Sequence, residues 1–214
     1  MQAMSLPDVS EFYHWQSPRE LWSLATKTDN KIPAEDLFNR ADAIYKKVME
    51  ALVASTFILR LDALVLPVNK IRMAEANKEL LDFEFVSDRG VQHEFELVGA
   101  HHGPIGLGYR GGRKPVLPSS AFSGIPANPK RIVEEIKKKT AKAIEKHTWR
   151  NLLVYPNLQA GVDGLDQLRL LVKDSETVWK SIWLVMGIPD ERSTGIALLY
   201  PSQNFDCPAG QWLE

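Results

Sequence analysis

Cysteine is almost absent from this chain of 214 residues, in which Cys207 is the only one. A single thiol excludes an intramolecular disulfide and is typical of a reducing compartment, so we expect a cytoplasmic protein. No apolar run has the length of a membrane span, since the longest, at about Leu61 to Val68, is interrupted by Asp62 and Pro67. The N-terminal segment also lacks the basic and apolar pattern of a signal peptide. The sequence therefore predicts no membrane association.

An excess of charge of either sign is also missing. The formal net charge is −1, which gives no global attraction to nucleic acid, so any polyanion site must come from local clustering. Hydrophobic residues make up 44% and charged residues 25% of the chain, as in ordinary soluble globular proteins. Repeats and low-complexity tracts are absent. We expect a helical N-terminal extension at 1–32, a single α/β domain at 33–200 and a C-terminal tail at 201–214.

Two short segments alternate acidic with apolar residues: Leu81 to Val86 and His93 to Val98. Alternation at period two predicts strands with one apolar and one acidic face. Ser87 to Gly90 between them predicts a turn, with Gly90 able to adopt a positive φ. The pattern therefore predicts a β-hairpin.

A three-residue hairpin loop fixes which side chains lie opposite each other. Glu84 pairs with Glu94, Asp82 with Glu96 and, on the other face, Phe83 with Phe95; His93 lies opposite Phe85 as a core residue. Four carboxylates then share a patch to which these strands contribute no Lys or Arg. Like charges directly opposite destabilise a sheet, so the patch favours a divalent cation. The alternative is the ordinary solvated face of an antiparallel sheet, which needs no ligand.

The remaining patterns predict helices and strands that alternate along the chain. A capping box opens a helix at Ser17, and the stretch Thr56 to Leu66 is ambiguous between helix and buried strand. A helix begins at Pro129 with Ile132, Ile136, Ala143 and Ile144 as its buried residues, and Trp179 and Trp183 belong to the core. The other expected elements are a helix from about Pro33 to Arg60, a third strand at Ile105–Arg110, strands at 151–155, 182–186 and 195–200, a helix at 164–172 and a long loop at 111–129. The fold class is mixed α/β, with a central mixed sheet flanked by helices.

The order helix, three strands, helix, strand resembles the core of the PD-(D/E)xK nuclease superfamily, the restriction-endonuclease-like fold. The signature of that superfamily is an acid on one strand and, a strand later, an acid, any residue and a lysine. Asp82 matches the first acid, Glu94 the second, and Glu96 stands where the lysine is usual. If Leu81 to Val86 were instead the first strand of the core, the lysine strand would be Ile105–Arg110, which has no acid.

The resemblance implies a site that hydrolyses phosphodiesters with Mg²⁺. It assigns Asp82, Glu94 and Glu96 as catalytic residues and Asp82, Glu84 and Glu94 as metal ligands. A bound Mg²⁺ keeps several waters and needs only one or two carboxylates. With Glu96 at the lysine position, either that carboxylate acts as the base or a lysine comes from the following helix, where the candidates are Lys137, Lys138, Lys139 and Lys142.

That helix is the most basic local element of the chain. Between Pro129 and Arg150 there are eight Lys or Arg residues and three acids. A stripe including Lys130, Lys138 and Lys142 would contact nucleic-acid phosphates, with a second basic cluster at Arg110, Arg113 and Lys114. The alternative is a solvated helix face on which Glu134 and Glu135 pair forward with Lys138 and Lys139.

Two functions are compatible with these features. The first is a Mg²⁺-dependent nuclease, or a nuclease-derived nucleic-acid-binding protein, in restriction, repair or mobile-element defence. The second is a non-catalytic protein that retains the fold and binds a protein partner, such as an immunity protein, an antitoxin or an assembly factor. The paired acidic strands and the basic helix favour the first, and the missing motif lysine favours the second.

Overall fold

A computed structural model describes residues 8–30, 43–75, 81–100, 128–146, 149–156, 164–173, 178–186, 195–200 and 212–213. After a short 3₁₀ turn at Ser10–Tyr13, the helices are α1 (Pro18–Asp29), α2 (Ala43–Leu64), α3 (Pro129–Glu145) and α4 (Leu165–Lys173). The strands are β1 (Val68–Met73), β2 (Phe83–Ser87), β3 (Gln92–Gly99), β4 (Asn151–Tyr155), β5 (Ser181–Met186), β6 (Gly195–Tyr200) and the two-residue β7 (Trp212–Leu213). Among the described helices, none combines the length and the apolar character needed to cross a bilayer.

All the strands form one open mixed sheet in which their order is the order of the chain. β1, β2 and β3 are antiparallel to one another, and β3, β4 and β5 are parallel. β6 runs antiparallel to β5, and β7 pairs with β6. Each parallel pair is joined by a crossover that contains a helix, α3 before β4 and α4 before β5. The predicted mixed α/β fold class is confirmed.

Helices cover both faces of the sheet and define two cores. On one face, α1 and α2 pack against the aromatic residues of the sheet, with Phe57 of α2 in contact with Phe95 and Trp183. On the other face, α3 and α4 pack over apolar residues of β3 to β6, including Leu152 and Leu184. β5 is buried along its whole length because both of its faces are covered, as its continuous apolar sequence predicts.

Local signals explain where several elements begin and end. The side chain of Ser17 accepts from the backbone N–H of Glu20, whose carboxylate accepts from the backbone N–H of Ser17, so the predicted capping box is present at α1. The ambiguous stretch Thr56 to Leu66 is helical as far as Leu64, where α2 ends three residues before Pro67. Trp179 and Trp183 are both buried in the core, as expected.

Two expectations about the elements need revision. The side chain of Ile144 is 46% exposed rather than buried, because the contact face of α3 ends at Ala143. The sequence patterns did not predict β1, which is the strand that precedes the acidic hairpin. With β1 in place, the segment that begins at Asp82 leads into the second of three consecutive strands. The expected strand Ile105–Arg110 and the loop at 111–127 lie outside the described residues.

Candidate active site

The acidic hairpin has the predicted register. Phe83 lies opposite Phe95 and Glu84 opposite Glu94, and the backbone N–H of Asp82 donates to the carbonyl of Phe95 at 2.9 Å. The predicted pairing of Asp82 with Glu96 is not part of the ladder, because Asp82 precedes β2 and its backbone bonds to Phe95 instead. The two carboxylates are nevertheless neighbours, since both lie within 4 Å of Lys139. Gly90 closes the turn with φ at 76°, a conformation that a residue with a Cβ adopts only under strain. Glu84, Glu94 and Glu96 alternate with apolar residues and therefore point to one face of the sheet. Asp82 lies on the same face, because Lys139 of α3 is within 4 Å of both Asp82 and Glu96.

The apolar face of the hairpin packs as predicted. The rings of Phe83 and Phe95 stack with their centroids 4.9 Å apart, and both side chains are fully buried. The imidazole of His93 stacks on Phe85 at 4.6 Å. Burial, reinforced by the positive charge of Lys180, lowers the pKa of His93 from 6.5 to about 4. His93 is therefore neutral at physiological pH and belongs to the core.

The acidic patch has three basic partners, although the hairpin strands themselves contribute no Lys or Arg to it, as expected. Arg72 on β1 pairs with Glu84, and Arg150, which precedes β4, pairs with Glu94 at 2.8 Å. Lys139 on α3 pairs with Glu96 at 3.0 Å. Each cation comes from an element outside the hairpin, so the alternation within the two hairpin strands carried no signal for it.

Lys139 joins two of the acids. Its ammonium lies 3.0 Å from Oε2 of Glu96 and 3.9 Å from Oδ2 of Asp82. The same Asp82 oxygen accepts a hydrogen bond of 2.6 Å from the backbone N–H of Leu97, which fixes the carboxylate against β3. All three charged side chains are only partly exposed, which strengthens their mutual attraction relative to a surface ion pair. Asp82, Glu96 and Lys139 will be called the acid–lysine cluster.

The docking of α3 determines where Lys139 lies. Pro129 occupies the first turn of the helix, and the side chain of Asn128 accepts from the backbone N–H of Lys130 as the N-cap. The residue after Lys139 is Thr140, whose hydroxyl accepts a hydrogen bond of 3.0 Å from the indole nitrogen of the buried Trp179. Ile132 and Ile136 bury the same side of the helix in the core.

The other two acids are held by arginines. The side chain of Glu84 is only 2% exposed, and its two oxygens accept from Arg72 and Gln92 respectively. Glu94 is more exposed and pairs with Arg150, whose guanidinium also lies 3.8 Å from Glu96. Of the three predicted metal ligands, only Asp82 lies beside Glu96. Glu84 and Glu94 lie opposite each other further along β2 and β3, and each is paired with an arginine.

The three lysines expected to contact phosphates from α3 are all exposed. Lys130 and Lys142 are exposed on the outer side of the helix. Lys138 is also exposed and pairs with Glu135 at 2.6 Å rather than with Glu134, and Lys139 pairs with Glu96 of the sheet rather than with Glu135. The second basic cluster, Arg110, Arg113 and Lys114, lies outside the described residues.

The donor set of the acid–lysine cluster suits a hard divalent cation. The described residues contain no group of three or more His, Cys, Asp or Glu side chains that could hold a metal ion. Asp82 and Glu96 nevertheless approach one ammonium from adjacent strands, and Mg²⁺ commonly uses one or two carboxylates and retains its waters. These two residues are the ones that would hold the ion.

The fold and the cluster together define a mixed α/β protein with two carboxylates and a lysine at the junction of its sheet with a helix. Lys139 was one of four candidate lysines in the sequence, whereas Arg72 and Arg150 had no sequence signal. No family model, curated protein or solved structure matches the chain.

Proposed function

We propose that this protein is a Mg²⁺-dependent nuclease related to the PD-(D/E)xK superfamily. The observation that carries the proposal is the position of Lys139, whose ammonium lies within 4 Å of both Asp82 and Glu96. The nuclease signature requires a lysine beside two acids. In this chain Glu96 occupies the position in the signature where that lysine is usual. The lysine of α3 thus replaces the one missing from β3.

The order of the elements also supports this proposal. α2, β1, β2, β3, α3 and β4 follow the order helix, three strands, helix, strand. Asp82 directly precedes the second of these strands, and Glu94 and Glu96 lie on the third. This is the placement of acids that the resemblance implies, and the presence of β1 favours the register in which Leu81 to Val86 corresponds to the second strand of the core.

Each residue of the cluster has a distinct part in the proposed reaction. Asp82 and Glu96 would hold the ion, which when bound supplies positive charge to the phosphate and a more acidic water. Lys139 donates a hydrogen bond to Glu96 and orients a water or a phosphate oxygen beside it. Arg150 holds Glu94 and approaches the second oxygen of Glu96, so the carboxylate of Glu96 is restrained from both sides.

A second function is favoured by the ion pairs that the acidic residues already form with basic side chains. Glu84, Glu94 and Glu96 each have a basic partner, so most of the charge on the acidic face is compensated without an ion. A protein that retains the fold for a structural purpose would have this property. In that case the chain binds a protein partner and does not cleave nucleic acid.

The decisive experiment is a cleavage assay on single- and double-stranded DNA and RNA with Mg²⁺ or Mn²⁺. The variants are Asp82→Ala and Lys139→Met, and the matched control is Lys27→Met, which removes an exposed lysine from α1 on the other side of the sheet. We expect metal-dependent cleavage that falls by at least about 100-fold in both cluster variants, the usual size of a lost acid–base group, and persists in the control.

Two results would contradict the nuclease proposal. One is the absence of cleavage by the folded wild-type protein with either metal on all four substrates. The other is cleavage that survives in Asp82→Ala, which would trace the activity to another site or to a contaminant. A stable protein partner recovered together with the first result would favour the structural function.

A further inference from the structure

An exposed tryptophan stands at the edge of the sheet, on the same face as the acids. The segment around Gln16 pairs with β1, with Gln16 and Ile71 exchanging backbone hydrogen bonds of 3.1 and 2.8 Å. This bridge places Trp15 beside Arg72. The side chain of Trp15 is 39% exposed, which is unusual for so large an aromatic residue.

Two cations lie against the Trp15 ring. The ammonium of Lys70 is 4.8 Å and the guanidinium carbon of Arg72 is 5.3 Å from the ring centroid. Arg72 shares its charge with Glu84, whereas no carboxylate among the described residues lies within ion-pair distance of Lys70. The edge thus combines a partly exposed indole with a positive charge that is available to an anion.

The geometry points to a function for this edge: Trp15, Lys70 and Arg72 form a stacking platform that binds an unpaired nucleotide of single-stranded nucleic acid. The base would stack on the indole, and the adjacent phosphate would contact Lys70. Nucleic-acid-binding proteins that act on single strands combine these two elements, because every base has a π-face and every linkage has a charge. The inference rests on the proposed nuclease function and adds the class of its substrate.

The platform is in line with the acids. Arg72 lies opposite Glu84 and Glu84 opposite Glu94, so one row crosses the sheet from the edge to β3. Adjacent strands are about 4.8 Å apart, so the three steps from the Trp15 segment to β3 span roughly 14 Å. A stacked strand rises about 3.4 Å per nucleotide, which corresponds to about four nucleotides. A nucleic-acid strand held at Trp15 can therefore reach β3 at Glu94, two residues along β3 from Glu96 of the acid–lysine cluster.

Charge and stacking together favour a single strand over a duplex. In a duplex the base faces are covered by their neighbours, and only the terminal pair presents one. The indole can consequently stack on an unpaired base but not on a base in the interior of a duplex.

The test is binding of a fluorescent thymidine dodecamer in EDTA, where cleavage cannot interfere, measured by anisotropy on the full-length protein. Trp15→Ala should weaken binding by about 10-fold, and Trp15→Phe should retain most of the affinity because phenylalanine also stacks. Lys70→Gln should lower the dependence of log K on log salt by about 0.7, the value for one phosphate contact on a single strand. The matched control is Trp149→Ala, since Trp149 is 66% exposed and no cation lies over its ring among the described residues.

An abasic dodecamer separates stacking from charge. Trp15→Ala and wild type should bind it equally, because the backbone without bases offers nothing to stack. The platform is overturned if Trp15→Ala binds the thymidine dodecamer as tightly as wild type, or if it loses the same affinity for the abasic strand. It is also overturned if Trp149→Ala loses as much affinity as Trp15→Ala, or if binding of a blunt duplex depends equally on Trp15. Absence of any binding by wild type also overturns it. If the wild-type protein cleaves and Trp15→Ala binds as tightly as wild type, only the platform is rejected. If binding depends on Trp15 but no metal-dependent cleavage occurs, only the nuclease function is rejected.

Discussion

The indole nitrogen of Trp179 donates to the hydroxyl of Thr140 at 3.0 Å, and both side chains are buried. Trp179 lies just before β5, and Thr140 is the neighbour of Lys139 on α3. The hydroxyl of Thr140 also donates to the carbonyl of Ile136 at 2.9 Å, so it links the helix backbone to the indole. This contact helps to set the rotation of α3, and with it the reach of Lys139 to the two carboxylates.

Trp179→Phe should therefore lower the free energy of unfolding by about 1–2 kcal/mol, the usual contribution of a buried hydrogen bond together with some lost packing. Urea denaturation is the measurement. Thr140→Val removes the same bond from the other side, and the double variant should be less destabilised than the sum of the singles. Strict additivity of the two changes would show that the bond does not couple them.

The acid–lysine cluster predicts which carboxylates respond to metal. A divalent ion that binds only the folded state raises the melting temperature, so millimolar Mn²⁺ should stabilise the wild-type protein. Glu96→Gln should abolish this shift, and Glu94→Gln, two residues away on the same face of β3, should retain it because Glu94 is held by Arg150. Calorimetry with and without Mn²⁺ makes the comparison. A shift that disappears in Glu94→Gln and persists in Glu96→Gln would reverse the assignment.

His93 predicts a dependence of stability on acidity. Its pKa is about 4 in the folded protein and 6.5 without the burial that lowers it, so below pH 6.5 the unfolded chain binds a proton that the folded chain does not. The contribution of His93 to the free energy of unfolding is fully present above pH 6.5 and is lost as the pH falls towards 4. His93→Phe keeps a ring against Phe85 and should flatten the fall of melting temperature in this range.

The control for the His93 variant is His14→Gln, which removes an exposed histidine near the N-terminus. It should keep the wild-type profile of melting temperature against pH. Equal profiles for wild type and His93→Phe would assign the acid sensitivity to the carboxylates instead.

The exposed lysines of α3 predict a salt effect. Replacing Lys130 and Lys142 with glutamine removes two charges from the outer side of the helix, away from the carboxylates. If both contact phosphates, the slope of log K against log salt for a single strand falls by about 1.4, and the Mn²⁺ shift is unchanged. Titrations at several salt concentrations provide the slope, and an unaltered slope would assign these lysines to solvent alone.

The hairpin was predictable because its signals are local. Alternation over six residues and a glycine at the turn determine the register of Phe83 against Phe95 without knowledge of the rest of the chain. β1 was not predictable in this way, because Asn69, Lys70 and Arg72 stand among its few apolar residues. Its partners are β2 and the bridge at Gln16, and both are tertiary contacts.

The position of Lys139 also depends on tertiary structure. The pattern of α3 identifies its buried side, but Lys139 and Glu96 are 43 residues apart, and their contact depends on how the helix docks over β3. The sequence could therefore offer four candidate lysines for the site but could not choose among them. The buried contact of Trp179 with Thr140, which helps to choose, joins two residues that are 39 positions apart.

The order of the strands has a consequence for synthesis on the ribosome. Each described strand after β1 pairs with the strand that precedes it in the chain, so its partner has already been synthesised when it leaves the ribosome. Asp82 and Glu96 can meet as soon as the hairpin forms, whereas Lys139 follows Glu96 by 43 residues. At about 5–20 residues per second, the nascent chain carries the two carboxylates without their lysine for roughly 2 to 9 seconds. Docking of α3 then brings one positive charge beside the two carboxylates, so their repulsion is relieved in addition to the burial of the apolar side of the helix.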